Sequence, residues 1–135
     1  MTTKEILQMY KKIAVVVLSS DPGRASYGVT RYMQNSGSEI TPVNPNEVNV
    51  LGEKAYASLE EVPGPIEIVD IFRRPEFVPE VVDAAIRRKA KVIWMQLGVA
   101  HEESAQRARA AGLEVVMDLC ILQEHMKYFG FGGKV

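Results

Sequence analysis

The sequence predicts a single α/β domain: a five-stranded parallel sheet of strand order 3-2-1-4-5, with helices on both faces. Three observations predict it. Five apolar, largely β-branched runs recur along the chain, at 13–18, 39–43, 66–72, 91–97 and 113–117. Their density suits strands covered on both faces. Helical patterns separate the runs and no hairpin signal such as Asn-Gly joins any two, so the connections are right-handed crossovers.

Each element follows from its residues. Residues 3–10 form a short amphipathic helix with Ile6, Leu7 and Tyr10 on one side and Thr3 as its cap. The first strand, 13–18, leads into a polar loop, Ser19-Ser20-Asp21-Pro22-Gly23-Arg24-Ala25-Ser26. A helix over 27–35 follows, with Val29, Tyr32 and Met33 at helical spacing and Gly37 near its stop. The second strand ends at Asn44-Pro45-Asn46, and a loop through Leu51-Gly52 reaches a short helix at 58–62. Pro63-Gly64-Pro65 breaks that helix before the third strand. The next helix begins near Pro79, turns Val81, Val82, Ala85 and Ile86 inward, and ends at Arg87-Arg88-Lys89. After the fourth strand come Gly98, a helix over 102–111 closed by Gly112, the fifth strand and a last helix over 121–128. Residues 1–135 read as one domain, with residues 1–11 as a helical lead-in and 130–135 as a loose tail.

Composition narrows the function classes. The 135 residues are 47% hydrophobic and 24% charged, ordinary for a globular domain. A formal net charge of -1 gives no electrostatic case for nucleic acid or an anionic membrane. One cysteine, Cys120, excludes an internal disulfide and a multi-cysteine metal site. The amino terminus carries no apolar stretch of signal-peptide length, so the expected compartment is the cytoplasm. No Walker motif, Gly-x-Ser-x-Gly or plausible triad is present. His101 and His125 have no companions at metal-ligand spacing, and both read as structural.

Open parallel sheets bind ligands beyond the carboxyl ends of their strands, where the strand order reverses. The segments after the first four strands are therefore the candidate site. After strand one, a helix start aims free amides and a positive dipole end at the crevice. Ser19, Ser20 and Ser26 add hydroxyls and Arg24 a guanidinium suited to a phosphate. Gly-x-Gly-x-x-Gly is missing, and Asn44 stands where dinucleotide enzymes place a ribose-binding acid. Both points weigh against a nicotinamide cofactor. Phe72 offers a ring to stack on a base, Arg73 and Arg74 a basic pair, and Gln96 a polar group over the crevice. Arg74 reads as solvated, and Asp70, in an apolar strand, needs a hydrogen-bond partner. Cys120 reads as an apolar core residue, with contact to a ligand thiol as the sharper alternative.

Taken together, Pro22-x-Arg24-x-Ser26-Tyr27, Pro42-Val-Asn-Pro45, Leu51-Gly52, Val69-Asp-Ile-Phe-Arg73, Val92-Ile-Trp-Met-Gln-Leu-Gly98, Val115-Val-Met-Asp118 and Glu124-His125 form a recognisable series. It resembles the small stand-alone CoA-binding proteins, relatives of the CoA-binding domain of the succinyl-CoA synthetase α subunit. The resemblance implies a Rossmann-like domain that binds CoA or an acyl-CoA without catalysing a reaction. It implies Ser19, Arg24 and Tyr27 at the phosphates, Asn44 and Pro45 on the adenosine side, and Phe72 and Arg73 flanking the nucleotide. Gln96, Leu97 and Gly98 then line the path of the pantetheine arm. The chain departs from the family at Val17, commonly glycine, and at Leu119, commonly arginine. A nucleotide-dependent enzyme, a ligase subunit needing a partner, and a regulatory protein with a degenerate pocket remain the alternatives.

Overall fold

The computed structural model describes residues 1–130. Five parallel strands form the main sheet: β1 (Lys12–Val16), β2 (Glu39–Val43), β5 (Ile68–Ile71), β6 (Val92–Met95) and β7 (Glu114–Val116). The helices are α1 (Thr3–Met9), α2 (Ala25–Asn35), α3 (Val78–Arg87), α4 (Glu102–Ala110) and α5 (Ile121–Phe129). Alternate strand residues point to opposite faces. Ile13, Val15, Ile68, Val92 and Trp94 pack with Ile6 and Leu7 of α1, Met33 of α2 and Ile121 of α5. Ala14, Val16, Val69, Ile71, Ile93 and Met95 pack on the other face with Val78, Val82 and Ala85 of α3 and Ala105 and Ala108 of α4. The predicted class, a parallel sheet between two helical layers, is the observed one.

The strand order requires a correction. The sheet runs β2-β1-β5-β6-β7, so the five long strands lie in the order 2-1-3-4-5, not 3-2-1-4-5. The third long strand pairs with β1, in the register Ile13–Ile68 to Val16–Ile71. Pro42 supplies the physical reason. Proline cannot donate to a ladder and is confined to sheet edges. The Pro42 carbonyl points outward, accepting the Tyr56 N–H at 3.0 Å, so its nitrogen faces the edge where no long strand pairs.

Three local expectations also change. Thr2, not Thr3, caps α1: its hydroxyl accepts the Glu5 N–H at 3.1 Å while the Glu5 carboxylate accepts the Thr2 N–H at 2.7 Å. The loop through Leu51-Gly52 is an antiparallel hairpin of β3 (Asn49–Val50) and β4 (Glu53–Lys54). Its two turn residues both have positive φ, 54° and 79°, the arrangement for which Asn-Gly is the usual signature. The short helix predicted at 58–62 is a single 3-10 turn, Leu59–Glu61. The tail predicted at 130–135 lies outside the described residues except for Gly130, which ends α5 at φ 71°.

Candidate functional site

In this order the chain leaves β1 toward β2 on one side and later returns to β5 on the other. The switch point therefore lies between β1 and β5. A crevice of about 860 Å³ opens there, at the carboxyl ends of the strands. Of the sequence-predicted residues, Ser19, Arg24, Ser26 and Asn44 line it from the β1–β2 side. Phe72, Arg73, Gln96, Leu97 and Gly98 line it from the β5–β6 side. Ser20, Tyr27 and Pro45 do not line it. Ser20 is exposed beside it, Tyr27 packs against the core under α2, and Pro45 borders a smaller cavity of about 310 Å³.

The first loop is tied by its own side chains. Ser26 Oγ accepts the Ser19 N–H at 3.1 Å, and Ser19 Oγ accepts the Asp21 N–H at 3.0 Å. The Glu47 carboxylate accepts the Ser20 N–H at 2.8 Å, and Asp21 accepts the Gly23 N–H at 2.9 Å. The Asp21 carbonyl accepts the Arg24 N–H at 3.0 Å. These serines thus hold the loop's shape, a role the sequence reading did not give them. Arg24 caps α2 without a side-chain bond, and the Ala25 and Ser26 amides have no acceptor among the described residues. The free donors of the helix start lie here, with the Arg24 guanidinium exposed beside them.

Asn44 is 7% exposed and committed at both ends. Its Nδ2 donates to the Leu18 carbonyl at 3.0 Å and its Oδ1 accepts the Asn46 N–H at 2.9 Å. It joins the loop after β1 to the loop after β2, so its place in the crevice wall is that of a clamp.

The opposite wall carries a basic pair and a buried amide. The Arg73 guanidinium lies 4.1 Å from the Phe77 ring centroid and pairs with Glu80 at 3.1 Å. Gln96, 4% exposed, donates to the Asp70 carboxylate at 2.6 Å, and its Oε1 accepts the Ile121 N–H at 3.4 Å. Asp70 thus has the partner its position required. Burial outweighs that hydrogen bond and pushes the Asp70 carboxyl up to about 7. Leu97 and Gly98 form a turn in which the Val99 N–H returns to the Gln96 carbonyl at 2.7 Å. Gly98 takes φ 84° at its third position and donates to Asp118 at 2.7 Å.

Sequence reasoning missed several lining residues. Cys120, read as core, is half-buried and lines the crevice with Gln123 at the start of α5. Arg74, read as solvated, lines the crevice although its side chain is 75% exposed. Asn46, inside the segment singled out after strand two, lines it as well, and so does Glu47. Glu47 sits one residue beyond the segment singled out after strand two, and its reach across to Ser20 leaves no mark in the sequence. Val17 lines the crevice and also packs against the core. The exposed Leu119 side chain takes no part; its carbonyl accepts the Trp94 indole N–H at 2.8 Å. Both histidines are structural. His101 caps α4 through Nδ1, accepting the Ser104 N–H at 3.2 Å. His125 is buried with Nδ1 2.8 Å from the Tyr32 hydroxyl, and burial, helped by Lys11, holds its pKa below the usual histidine value.

The family model of the CoA binding domain matches residues 11–126. This chain belongs to that family. Among its relatives, a Bacillus subtilis (strain 168) protein described as uncharacterized protein YneT is 48% identical over 122 residues, 90% of each chain. The α subunit of acetate–CoA ligase [ADP-forming] II from Pyrococcus furiosus is 35% identical over 71 residues. That match spans 52% of this chain but only 16% of the ligase subunit. Among solved structures, a hypothetical protein from Pyrococcus horikoshii OT3 superposes with a TM-score of 0.89 at 38% identity. The superposition covers 94% of this CoA-binding domain and 92% of that chain.

Proposed function

We propose that this chain is a cytoplasmic, non-catalytic module that binds CoA or an acyl-CoA across the crevice between β1 and β5. The observation that carries the reading is the start of α2, where two backbone amides without acceptors and the Arg24 guanidinium face the crevice together. That arrangement suits a diphosphate. The ligand's adenosine then lies toward Asn46 and Glu47, and its pantetheine arm runs past Gln96, Leu97 and Gly98 toward Cys120. Phe72 and Arg73 flank the nucleotide. The crevice volume of about 860 Å³ falls within the range of small-molecule sites.

The reading without chemistry rests on the lining side chains, of which Ser19, Ser26 and Asn44 are tied to backbone groups within the crevice wall. Neither histidine borders it. Isothermal titration calorimetry with CoA, acetyl-CoA, NAD and ATP tests the proposal, alongside mass spectrometry of ligands released from freshly purified protein. The expected result is binding of CoA or acetyl-CoA in preference to NAD. Binding of NAD with no response to CoA at millimolar concentration overturns it.

A further inference from the structure

We infer that Glu47 sets the ribose preference of the crevice, so that an adenosine diphosphate ligand with free ribose hydroxyls is held more tightly than its 3′-phosphorylated counterpart. The inference rests on the proposed CoA reading and specifies how this chain grips the adenosine end. Doubly wound folds read the ribose from the loop after the second strand, where a carboxylate accepts hydrogen bonds from ribose hydroxyls and a cation accommodates a ribose phosphate. Asn44, at the end of β2, is neutral and is held at both ends of its amide by backbone groups, so it does not supply the carboxylate. Three residues later, Glu47 lines the crevice.

Its carboxylate is oriented. One oxygen, Oε2, accepts the Ser20 N–H at 2.8 Å. The other, Oε1, has no hydrogen-bond partner among the described residues, and no cation there lies within ion-pairing distance of Glu47. A carboxylate only accepts hydrogen bonds, so it suits a hydroxyl donor and opposes a phosphate. The basic residues of the crevice do not offset this charge. Arg24 stands at the start of α2, where the diphosphate belongs. Arg73 and Arg74 stand on the opposite wall, Arg73 held by Glu80 and the Phe77 ring, and Arg74 beside Glu76 and the same ring. A 3′-phosphate beside Glu47 therefore meets a fixed negative charge.

The test compares CoA with dephospho-CoA, which differ only in the 3′-phosphate, by calorimetry on the full chain and on Glu47→Gln. The carboxamide oxygen introduced by the substitution can still accept the Ser20 N–H, so the loop retains its tie, and an unchanged melting temperature verifies this. Wild type is expected to bind dephospho-CoA about tenfold more tightly than CoA, the effect of one like charge at close range, and the preference is expected to shrink as salt rises. Glu47→Gln is expected to abolish that preference, mainly by tightening CoA. If CoA binds wild type as tightly as dephospho-CoA or more so, and Glu47→Gln leaves the ratio unchanged, the inference is overturned and the CoA reading stands. If neither ligand binds wild type or variant, both fall together.

Discussion

The two walls of the crevice are built on different principles. The wall after β1 and β2 is closed upon itself: Ser19, Ser26, Asp21, Asn44 and Glu47 satisfy the loop amides and carbonyls around them. The wall after β5 and β6 is centred on one buried amide, Gln96, with a carboxyl of raised pKa beneath it, a largely exposed Leu97 above and the Gly98 turn tied to Asp118. A self-satisfied loop loses little freedom when a ligand arrives, and such preorganisation suits the invariant part of a nucleotide. A partly apolar wall with an exposed leucine suits a variable arm. On the proposed CoA reading, recognition falls to one side of the crevice and tolerance to the other.

The largest effect expected from disturbing this division is at Asp70. Its folded-state pKa, about 7, exceeds the ordinary value of 3.8. Stability tied to the protonated carboxyl is therefore complete below about pH 4 and lost as pH rises through 7. Asp70→Asn keeps an acceptor for Gln96 and removes the charge. At pH 8.5 it should be more stable than wild type by about 2–4 kcal/mol in urea denaturation, with the gain vanishing near pH 4. His125 contributes in the opposite sense: its stability is present above the ordinary 6.5 and lost as pH falls through its lowered folded value. It acts alike in both proteins and cancels in the difference. A variant no more stable than wild type at pH 8.5 would show that Asp70 is not held uncharged.

Asn44→Ala probes the opposite wall. It deprives the Leu18 carbonyl and the Asn46 N–H of their partners, and should cost about 1–3 kcal/mol in urea denaturation at neutral pH. CoA affinity should fall with it, because the two loops lose their tie. Retained affinity in a destabilised variant would separate the clamp from recognition.

Arg24→Ala sharpens the contrast, because on the proposed reading it touches recognition alone. The side chain is exposed and has no ion pair among the described residues. Melting temperature should stay constant while CoA binding weakens by about 1.5–3 kcal/mol, the scale of a charge-assisted hydrogen bond. An unchanged dissociation constant would remove Arg24 from the site. The smallest effect is expected at Gly98→Ala, where φ 84° strains any side chain although the space is open. A loss of about 1–2 kcal/mol in stability should come with little change in the affinity for CoA.

Most of the architecture is legible in the sequence because hydrophobic runs and helical patterns report burial directly. Strand order was also encoded, in Pro42, but only as a missing hydrogen-bond donor that hydrophobic patterning does not register. The hairpin at 49–54 escaped because Leu51 occupies a positive-φ position that asparagine normally advertises. Most of the predicted site residues line the crevice, since position after a strand end is a topological property. What Asn44, Ser19 and Ser26 do there was hidden. A side chain that could touch a ligand and one that ties two loops look alike until the loops are placed. Glu47 was hidden for the same reason, as its partner lies 27 residues away.

The chain has one tryptophan, and its position gives the molecule a built-in optical probe. Trp94 is fully buried on β6, and its indole N–H is fixed to the carbonyl of Leu119, the residue before Cys120 at the crevice edge. Unfolding exposes the ring and breaks that bond together, so intrinsic fluorescence reports the global transition from a single site. A ligand arm that displaces the segment at Leu119 and Cys120 alters the same emission while the fold stays intact. Titrations of folding and of binding can thus be followed on the unmodified protein, without a dye.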